Sequence, residues 1–447
     1  MFKNKKIFIL GFALSGYSTA KVVAKDNEVV INDLNKNEDK EKVKELEKLG
    51  VKVVLGSHPD DLFDDSFDYL IKNPGVPLDH KYIKMAEKYK IPVINELELG
   101  YRLLDKKVHL IGITGSNGKT TTTTMIYDLL KLKYKDKVHL AGNIGYPLVN
   151  MLDDIKEGDY LVIETSCQQL TNLDKYHPEV AVLTNIFPAH LDFFKIYSDP
   201  YLAYTKDKIK IFKEQTKDDI AVINLGNDRS VKFTKDIKSN KLYFGKEDNK
   251  AITYLKDNII YYDNKKYIDT KDIFLKGEHN YENIMAALVV VKHYKVDDKI
   301  IMDYLKTFKG VPHRLEYITK IGDLTYYNDT EATNIDSTIK ALNSFDEDIC
   351  LFLGGLDRGQ DFTLLKPYMK HVKEVITIGS ARERAKEELK EFKPKSYEHL
   401  KDAFKNISLK KGIVLLSPAS ASWDQYKRCE VRGDEFKELV YKQKLNK

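Results

Sequence analysis

Short apolar runs alternate along the whole chain with charged stretches of helical length, a pattern that predicts an α/β protein. Lys6–Leu10 and Glu28–Asp33 read as strands with a helix between them. Further strands follow at Val51–Leu55, Tyr69–Lys72 and Pro92–Asn95. A second series comprises Val108–Ile113, Val138–Ala141, Tyr160–Glu164 and Val180–Thr184. Its strands alternate with helices, so the sheet should be parallel, with ligands at the carboxyl ends of its strands. A third series runs through Tyr326–Asn328, Ile349–Leu353, Val375–Ile378 and Gly412–Leu416. Asp199–Phe212 and Asp297–Phe308 read as helices, and another opens within residues 277–283 with Asn280 as its N-cap. Residues 241–270 read as antiparallel strands around the Asp257-Asn258 and Asp263-Asn264 turns. The expectation is three α/β domains, over residues 1–105, 106–310 and 311–447. The first and last are Rossmann-like, and the central one is a P-loop ATPase-like parallel sheet.

The polar residues at the strand ends carry the candidate chemistry. Thr114-Gly-Ser-Asn-Gly-Lys-Thr-Thr121 follows an apolar strand and opens a helix. Glycines there let backbone N–H groups approach a phosphate, Lys119 can reach the outer phosphates, and the Thr120 hydroxyl can ligate Mg²⁺. The strict pattern G-x-x-x-x-G-K-[ST] is not met: Ile113 stands at the first glycine position, and the glycine is one residue early, at Gly112. In the first domain Gly11 to Gly16 are spaced G-x-x-x-x-G, and Asp33 ends the second strand. Asp33 is placed either to hold a ribose or to cap a turn. The central strands end in Gly142-Asn143-Ile144-Gly145, in Glu164 and in Asn185, with His190 and Asp192 just beyond. Mg²⁺ favours oxygen ligands such as Thr120 and Glu164, while His190 suits a second metal or the substrate. Taken singly, each of these residues is more readily a cap or a satisfied polar group than a ligand; their joint placement at successive strand ends favours function.

Composition narrows the classes. Lys and Arg number 73 against 68 Asp and Glu, a net charge of +5 with the signs interspersed, so no nucleic-acid stripe is present. No apolar run approaches the roughly 18–20 residues of a membrane span. The basic and apolar start of the chain fits a first strand and turn better than a signal peptide. Three separated cysteines give neither a disulfide framework nor metal-ligand spacing, and a cytoplasmic protein is expected.

Eight ordered blocks then resemble one family, the ATP-dependent Mur ligases of peptidoglycan synthesis. They are TGSNGKTT (114–121), GNIG (142–145), ETSCQQL (164–170), TNIFPAHLDFF (184–194), GEHNYEN (277–283), VPHRLE (311–316), NDTEATN (328–334) and LSPASASWDQY (416–426). GFALSGYS, the NPGVP loop at 73–77 and RGDEF at 432–436 resemble, within the family, the member that adds D-glutamate to UDP-N-acetylmuramoyl-L-alanine. The resemblance implies ATP, two Mg²⁺ ions and an acyl-phosphate intermediate in a cytoplasmic monomer that binds neither nucleic acid nor membrane. It implies that Gly115, Ser116, Asn117, Gly118, Lys119, Thr120 and Thr121 hold the ATP phosphates, while Asn283, Arg314 and Asp329 contact the rest of the nucleotide. Thr120, Glu164, His190 and Lys208 would serve the metals. Lys208 falls where the family has a carbamylated lysine, with Lys206 as the alternative register. Ser15, Gly16, Asp33, Gly75 and Asn143 would hold the UDP end, and Arg358, Ser422 and Trp423 the amino acid.

Three departures bear on specificity. Glu331 stands where lysine is usual, Arg358 where lysine is common, and Cys429 near where an aromatic is usual. They leave open a Mur-type ligase for another amino acid. A P-loop switch would leave the third domain's loops unexplained, and no N-K-x-D guanine motif is present. A dinucleotide-dependent oxidoreductase would want the missing G-x-G-x-x-G. A degenerate binding module would rest on Glu331 alone.

Overall fold

The computed structural model describes residues 2–36, 38–245, 247–248 and 250–445. The chain forms two compact units, Met1–Thr307 and Phe308–Lys447. Three sheets follow one another along it.

The first sheet holds β1 (Lys6–Leu10), β2 (Glu28–Asp33), β3 (Lys52–Leu55), β4 (Tyr69–Lys72) and β5 (Val93–Ile94). It is parallel throughout, in the order β3-β2-β1-β4-β5. The order reverses between β1 and β4, so a crevice opens at their carboxyl ends. Helix α1 (Leu14–Val23) follows β1. Ser15 and Gly16 therefore lie in its first turn rather than in the loop.

The second sheet holds β6 (His109–Thr114), β7 (Val138–Gly142), β8 (Tyr160–Glu164), β9 (Val180–Leu183), β10 (Ile220–Asn224), β11 (Asn240–Gly245), β12 (Ala251–Lys256), β13 (Ile259–Tyr262) and β14 (Lys265–Asp269). Its order is β14-β13-β12-β11-β10-β9-β6-β8-β7, which sets β6 between β9 and β8. Pairings from β7 to β12 are parallel, and only β12-β13 and β13-β14 are antiparallel. The expected all-antiparallel reading of 241–270 is thus corrected: its turns make hairpins, but β11 runs parallel to both neighbours. The third sheet, in the second unit, orders β15 (Glu316–Ile321), β16 (Leu324–Asn328), β17 (Ile349–Gly354), β18 (Val372–Ile378), β19 (Lys395–Ser396) and β20 (Gly412–Leu416) as β15-β16-β20-β17-β18-β19. β15 pairs antiparallel to β16, and the remaining pairings are parallel.

The first two sheets share one unit through a polar seam. Helix α2 (Glu96–Leu103) is capped by Asn95, whose side chain accepts the Glu98 N–H. The same Asn95 amide donates to the Gln169 carbonyl at 2.6 Å, reaching the loop that follows β8. Glu98 is fully buried and accepts the N–H groups of Asp174, Lys175 and Tyr176 at 2.9, 2.8 and 3.2 Å. Arg102, one turn along, donates to the same carboxylate at 2.5 Å. Glu98 thus has charge-assisted partners on every side, the condition under which a buried carboxylate is stable. Glu96 is also buried and accepts the Val149 N–H at 2.9 Å, with no ion-pair partner among the described residues.

Three further helices place site residues in this unit: α3 (Lys119–Tyr134), α4 (Pro200–Ile209) and α5 (Glu278–His293). Gly277 rather than Asn280 caps α5. Asn280 lies inside the first turn and donates to the Lys276 carbonyl instead. In the second unit α6 (Cys429–Leu445) carries Arg432, which is fully buried. Its guanidinium donates to the carbonyls of Thr330, Gly354 and Ser420 at 3.0, 3.3 and 3.0 Å, tying three strand-end loops together.

Burial lifts the Glu96 carboxyl from its ordinary 4.5 to about 7. The folded state then binds more protons than the unfolded state between those values. The stability Glu96 contributes is full below pH 4.5 and is lost as pH rises through 7, by about 3 kcal/mol. Urea unfolding between pH 4.5 and 7.5 is expected to show Glu96→Gln falling less steeply than the parent chain, with the two curves converging at low pH.

Candidate active site

Strands on both sides of β6 pin the loop that follows it. On the β8 side the Thr114 hydroxyl donates to the Thr165 carbonyl at 2.7 Å, and the Thr165 N–H donates to Ile113 at 2.8 Å. On the β9 side the Ser116 N–H reaches the Asn185 carbonyl at 2.9 Å. The Asn117 N–H reaches Asn185 Oδ1 at 2.9 Å, and the Thr184 hydroxyl donates to the Asn117 carbonyl at 2.6 Å. Ser116 Oγ also meets the Tyr204 hydroxyl of α4 at 2.7 Å. Apart from the contact with Tyr204, each bond joins neighbouring strand ends, so the parallel order itself assembles the loop.

Gly118 closes the loop with φ of +78°, and a Cβ on it would lie 2.0 Å from Asn283 Oδ1 on α5. No side chain caps α3, so its first N–H groups present a positive end to an anion. Lys119 Nζ folds back onto the carbonyls of Gly115 and Ser116 at 3.0 and 3.1 Å. Thr120 lies buried in the first turn of α3 and Thr121 beside it is partly exposed.

Glu164, at the end of β8, is fully buried. Its Oε1 accepts from Asn143 Nδ2 at 2.7 Å, whereas Oε2 has no hydrogen-bond partner among the described residues. A buried orphan carboxylate oxygen is costly, and a hard cation would satisfy it. With the Thr120 hydroxyl this donor set fits Mg²⁺. Lys208 on α4 is 1% exposed, its Nζ 3.4 Å from Thr114 Oγ1 and 4.9 Å from the centre of the Tyr204 ring. Burial, then the charge of Lys119, pushes its pKa down to about 7. Lys206, the alternative register, is exposed. His190 lies in the exposed loop after β9, with φ of +53°.

In the first crevice the two loops are keyed to each other. A Cβ on Gly16 would fall 2.0 Å from the Gly11 carbonyl oxygen, and the Ser15 hydroxyl donates to Asn73 Oδ1 at 2.8 Å. Asn73 was not singled out from the sequence; its position before Pro-Gly at the end of β4 was the available signal. The Asp33 carboxylate accepts the Phe12 N–H at 2.7 Å and the Asn35 N–H at 2.8 Å, so it braces the turn after β1. Gly75 is exposed, with open space around it. Asn143 is exposed apart from its bond to Glu164.

In the second unit Asp329 is buried, accepting the Leu315 N–H at 3.0 Å and the Ser417 hydroxyl at 2.7 Å. Burial pushes its carboxyl up to about 7. Arg314 is exposed and lies 3.8 Å from Glu331. The guanidinium of Arg358 lies 4.5 Å from the centre of the exposed Trp423 ring, a cation–π contact. Ser422 is buried, and its hydroxyl has no partner among the described residues. Two of the departures from the family pattern touch: the Cys429 thiol donates to Glu331 at 3.4 Å. Burial, then the charges of Glu331 and Glu430, pushes that thiol up to about 12, so it stays protonated and Glu331 remains the acceptor.

Residues 113–291 match the Mur ligase middle domain and residues 5–95 the MurD-like N-terminal domain of Mur ligases. The chain is 42% identical over 450 residues to the UDP-N-acetylmuramoylalanine–D-glutamate ligase of Bacillus pumilus, covering 99% of this chain and 98% of that one. It is 39% identical to the ligase of the same name from Streptococcus pyogenes serotype M1, covering 97% and 96%. Among solved structures, UDP-N-acetylmuramate-alanine ligase of Thermotoga maritima shares the fold with a TM-score of 0.56 at 18% identity, covering 99% of this chain and 100% of that one. The MurF ligase of the same organism, solved with ADP, gives 0.53 at 20% identity, covering 99% of both.

Gly118→Ala adds a methyl where Asn283 already sits, at a φ that L-residues rarely adopt. ATP affinity, read by calorimetry, is expected to fall at least tenfold, while thermal unfolding of the second unit is unchanged.

Proposed function

The chain belongs to the Mur ligase family, and we propose that it joins D-glutamate to UDP-N-acetylmuramoyl-L-alanine in peptidoglycan precursor synthesis, converting ATP to ADP and phosphate. Near full-length identity of 42% to a ligase of that name carries the reading. The loops at the ends of β6, β8 and β9 supply matching chemistry.

The L-alanine carboxylate attacks the γ-phosphorus of ATP, ADP leaves, and an acyl phosphate forms. The loop N–H groups and Lys119 orient the triphosphate and offset charge on its outer oxygens. The amine of glutamate then attacks the acyl carbon. A tetrahedral oxyanion forms, phosphate departs, and the amide remains after loss of the amine proton. Water must be kept from the acyl phosphate, which it would hydrolyse. Thr120, Glu164, His190 and Lys208 would hold Mg²⁺, two ions in all. Bound there, Mg²⁺ supplies electrostatic screening of phosphate and oxyanion charge. The unpartnered Glu164 oxygen supports this assignment. A lysine whose pKa lies near 7 offers the neutral amine that combines with carbon dioxide, releasing a proton and leaving a carbamate anion. Lys208 in that form suits a cation, whereas its ammonium form would repel one.

Residues 1–105 take the UDP end at Ser15, Gly16, Asp33, Gly75 and Asn143 of the next domain. Residues 106–310 take ATP, with Asn283 beside the loop. Residues 311–447 contribute Arg314 and Asp329 to the nucleotide and Arg358, Ser422 and Trp423 to the amino acid. No helix among the described residues is long and apolar enough to cross a membrane. The reading places the protein in the cytoplasm as a monomer.

Glu331 beside Cys429 favours one second reading, a ligase of this family for a different amino acid. Phosphate release measured with UDP-N-acetylmuramoyl-L-alanine and a panel of D- and L-amino acids separates the two, and a preference other than D-glutamate overturns the first. Hydroxylamine in place of glutamate is expected to trap a hydroxamate. ADP release indifferent to the UDP substrate, with no hydroxamate, would sink the acyl-phosphate mechanism. Removing dissolved carbon dioxide is expected to lower activity several-fold, with bicarbonate restoring it. Lys208→Ala should be insensitive to both treatments.

A further inference from the structure

At the end of β4 the chain buries a lysine that none of the roles above uses. Lys72 is 1% exposed. Its Nζ donates to the carbonyls of Asn73, Pro74 and Val76 at 3.2, 3.2 and 3.3 Å, so its three protons point into one turn. These partners are all neutral. Burial pushes its pKa down to about 8, against the opposing charge of Asp207 on α4. Asp207 itself accepts from the Thr171 hydroxyl at 2.7 Å and pairs with Lys210 at 2.5 Å. Nζ also lies 5.6 Å from the centre of the Phe193 ring, in the loop that carries His190.

A buried cation is an expensive way to hold a turn that Pro74 and Pro77 already restrict. What the prolines do not fix is the direction of the carbonyls. Lys72 draws three of them inward, and the Val76 N–H closes onto the Asn73 carbonyl at 3.1 Å. The Asn73 side chain turns the other way, to Ser15 in the first turn of α1. Gly75 is left outward, with nothing within 4 Å of where a Cβ would be. The lysine therefore ties the turn of the first sheet to one central segment, the loop that carries Phe193 and His190.

We propose that Lys72 is a positioning residue that presets the 73–77 turn for the UDP-bearing substrate and registers it against the loop that carries Phe193 and His190. The inference rests on the functional reading above, in which this turn meets that substrate.

Calorimetric titration of the full chain with UDP-N-acetylmuramoyl-L-alanine and, separately, with ATP tests it alongside steady-state kinetics. For Lys72→Met the expected result is at least tenfold weaker binding and a matching rise in KM for the UDP substrate. The Kd for ATP should stay within twofold, and Lys72→Arg should recover part of the loss. Unchanged affinity for the UDP substrate in Lys72→Met overturns the proposal. So does a parallel loss for both ligands, the mark of general destabilisation. If Lys72→Met does not fold, Lys72→Arg decides: selective weakening toward the UDP substrate supports the proposal, and unchanged affinity overturns it. Absence of binding by the parent chain overturns the functional reading together with the inference, whereas binding by parent and variant alike removes the inference alone.

Discussion

A buried carboxylate oxygen with no hydrogen-bond partner among the described residues, at the end of the central strand β8, is the constraint around which the first unit is arranged. A hard cation would satisfy that oxygen. The surrounding groups make sense as a setting for one. Asn143 satisfies the other oxygen and fixes the carboxylate's rotation. Thr120 stands at the start of α3, where the helix already favours anionic phosphate. Lys208 is buried where an ammonium is disfavoured. This arrangement is preorganised for phosphoryl chemistry, because the groups that meet developing charge are in place beforehand.

The sequence made the scaffold of this site readable. The apolar runs of β1, β2, β6 and β8 have a period and length that leave little choice, and Gly-Lys-Thr after such a run marks a phosphate loop by backbone chemistry alone. The pairing partners of β11 were not readable. The strands after it turn at Asp-Asn pairs, a local signal for hairpins, whereas β11 itself pairs in parallel with both β10 and β12. Asn280 misled for a related reason. Cap preference describes the residue before the first turn, and here glycine holds that place with φ of +108°.

Burial of the ionisable groups was the least readable layer. Lys206 and Lys208 sit in one lysine-rich stretch, and only packing decides that one is exposed and the other enclosed. Lys72, Glu96 and Glu98 look like ordinary surface residues in sequence. In the fold Glu96 and Glu98 replace lost hydration with N–H groups from loops far along the chain, and Lys72 does so with the carbonyls of its own turn. In the second unit, the contact between Glu331 and Cys429 joins two positions that looked like separate oddities. The inverted charge at 331 is accompanied by a protonated thiol able to donate to it.

The seam at α2 has a consequence for motion. Asn95 both caps this helix and holds the Gln169 carbonyl, five positions beyond Glu164, while Glu98 holds three amides of the following loop. Fraying α2 would release those amides at once. The loop after β8 and the first sheet should therefore open as a single cooperative element, with shared hydrogen-exchange protection. By linkage, a ligand that binds only the closed form at either crevice would slow exchange at both. The two sites of the first unit would thus be coupled energetically through this shared opening.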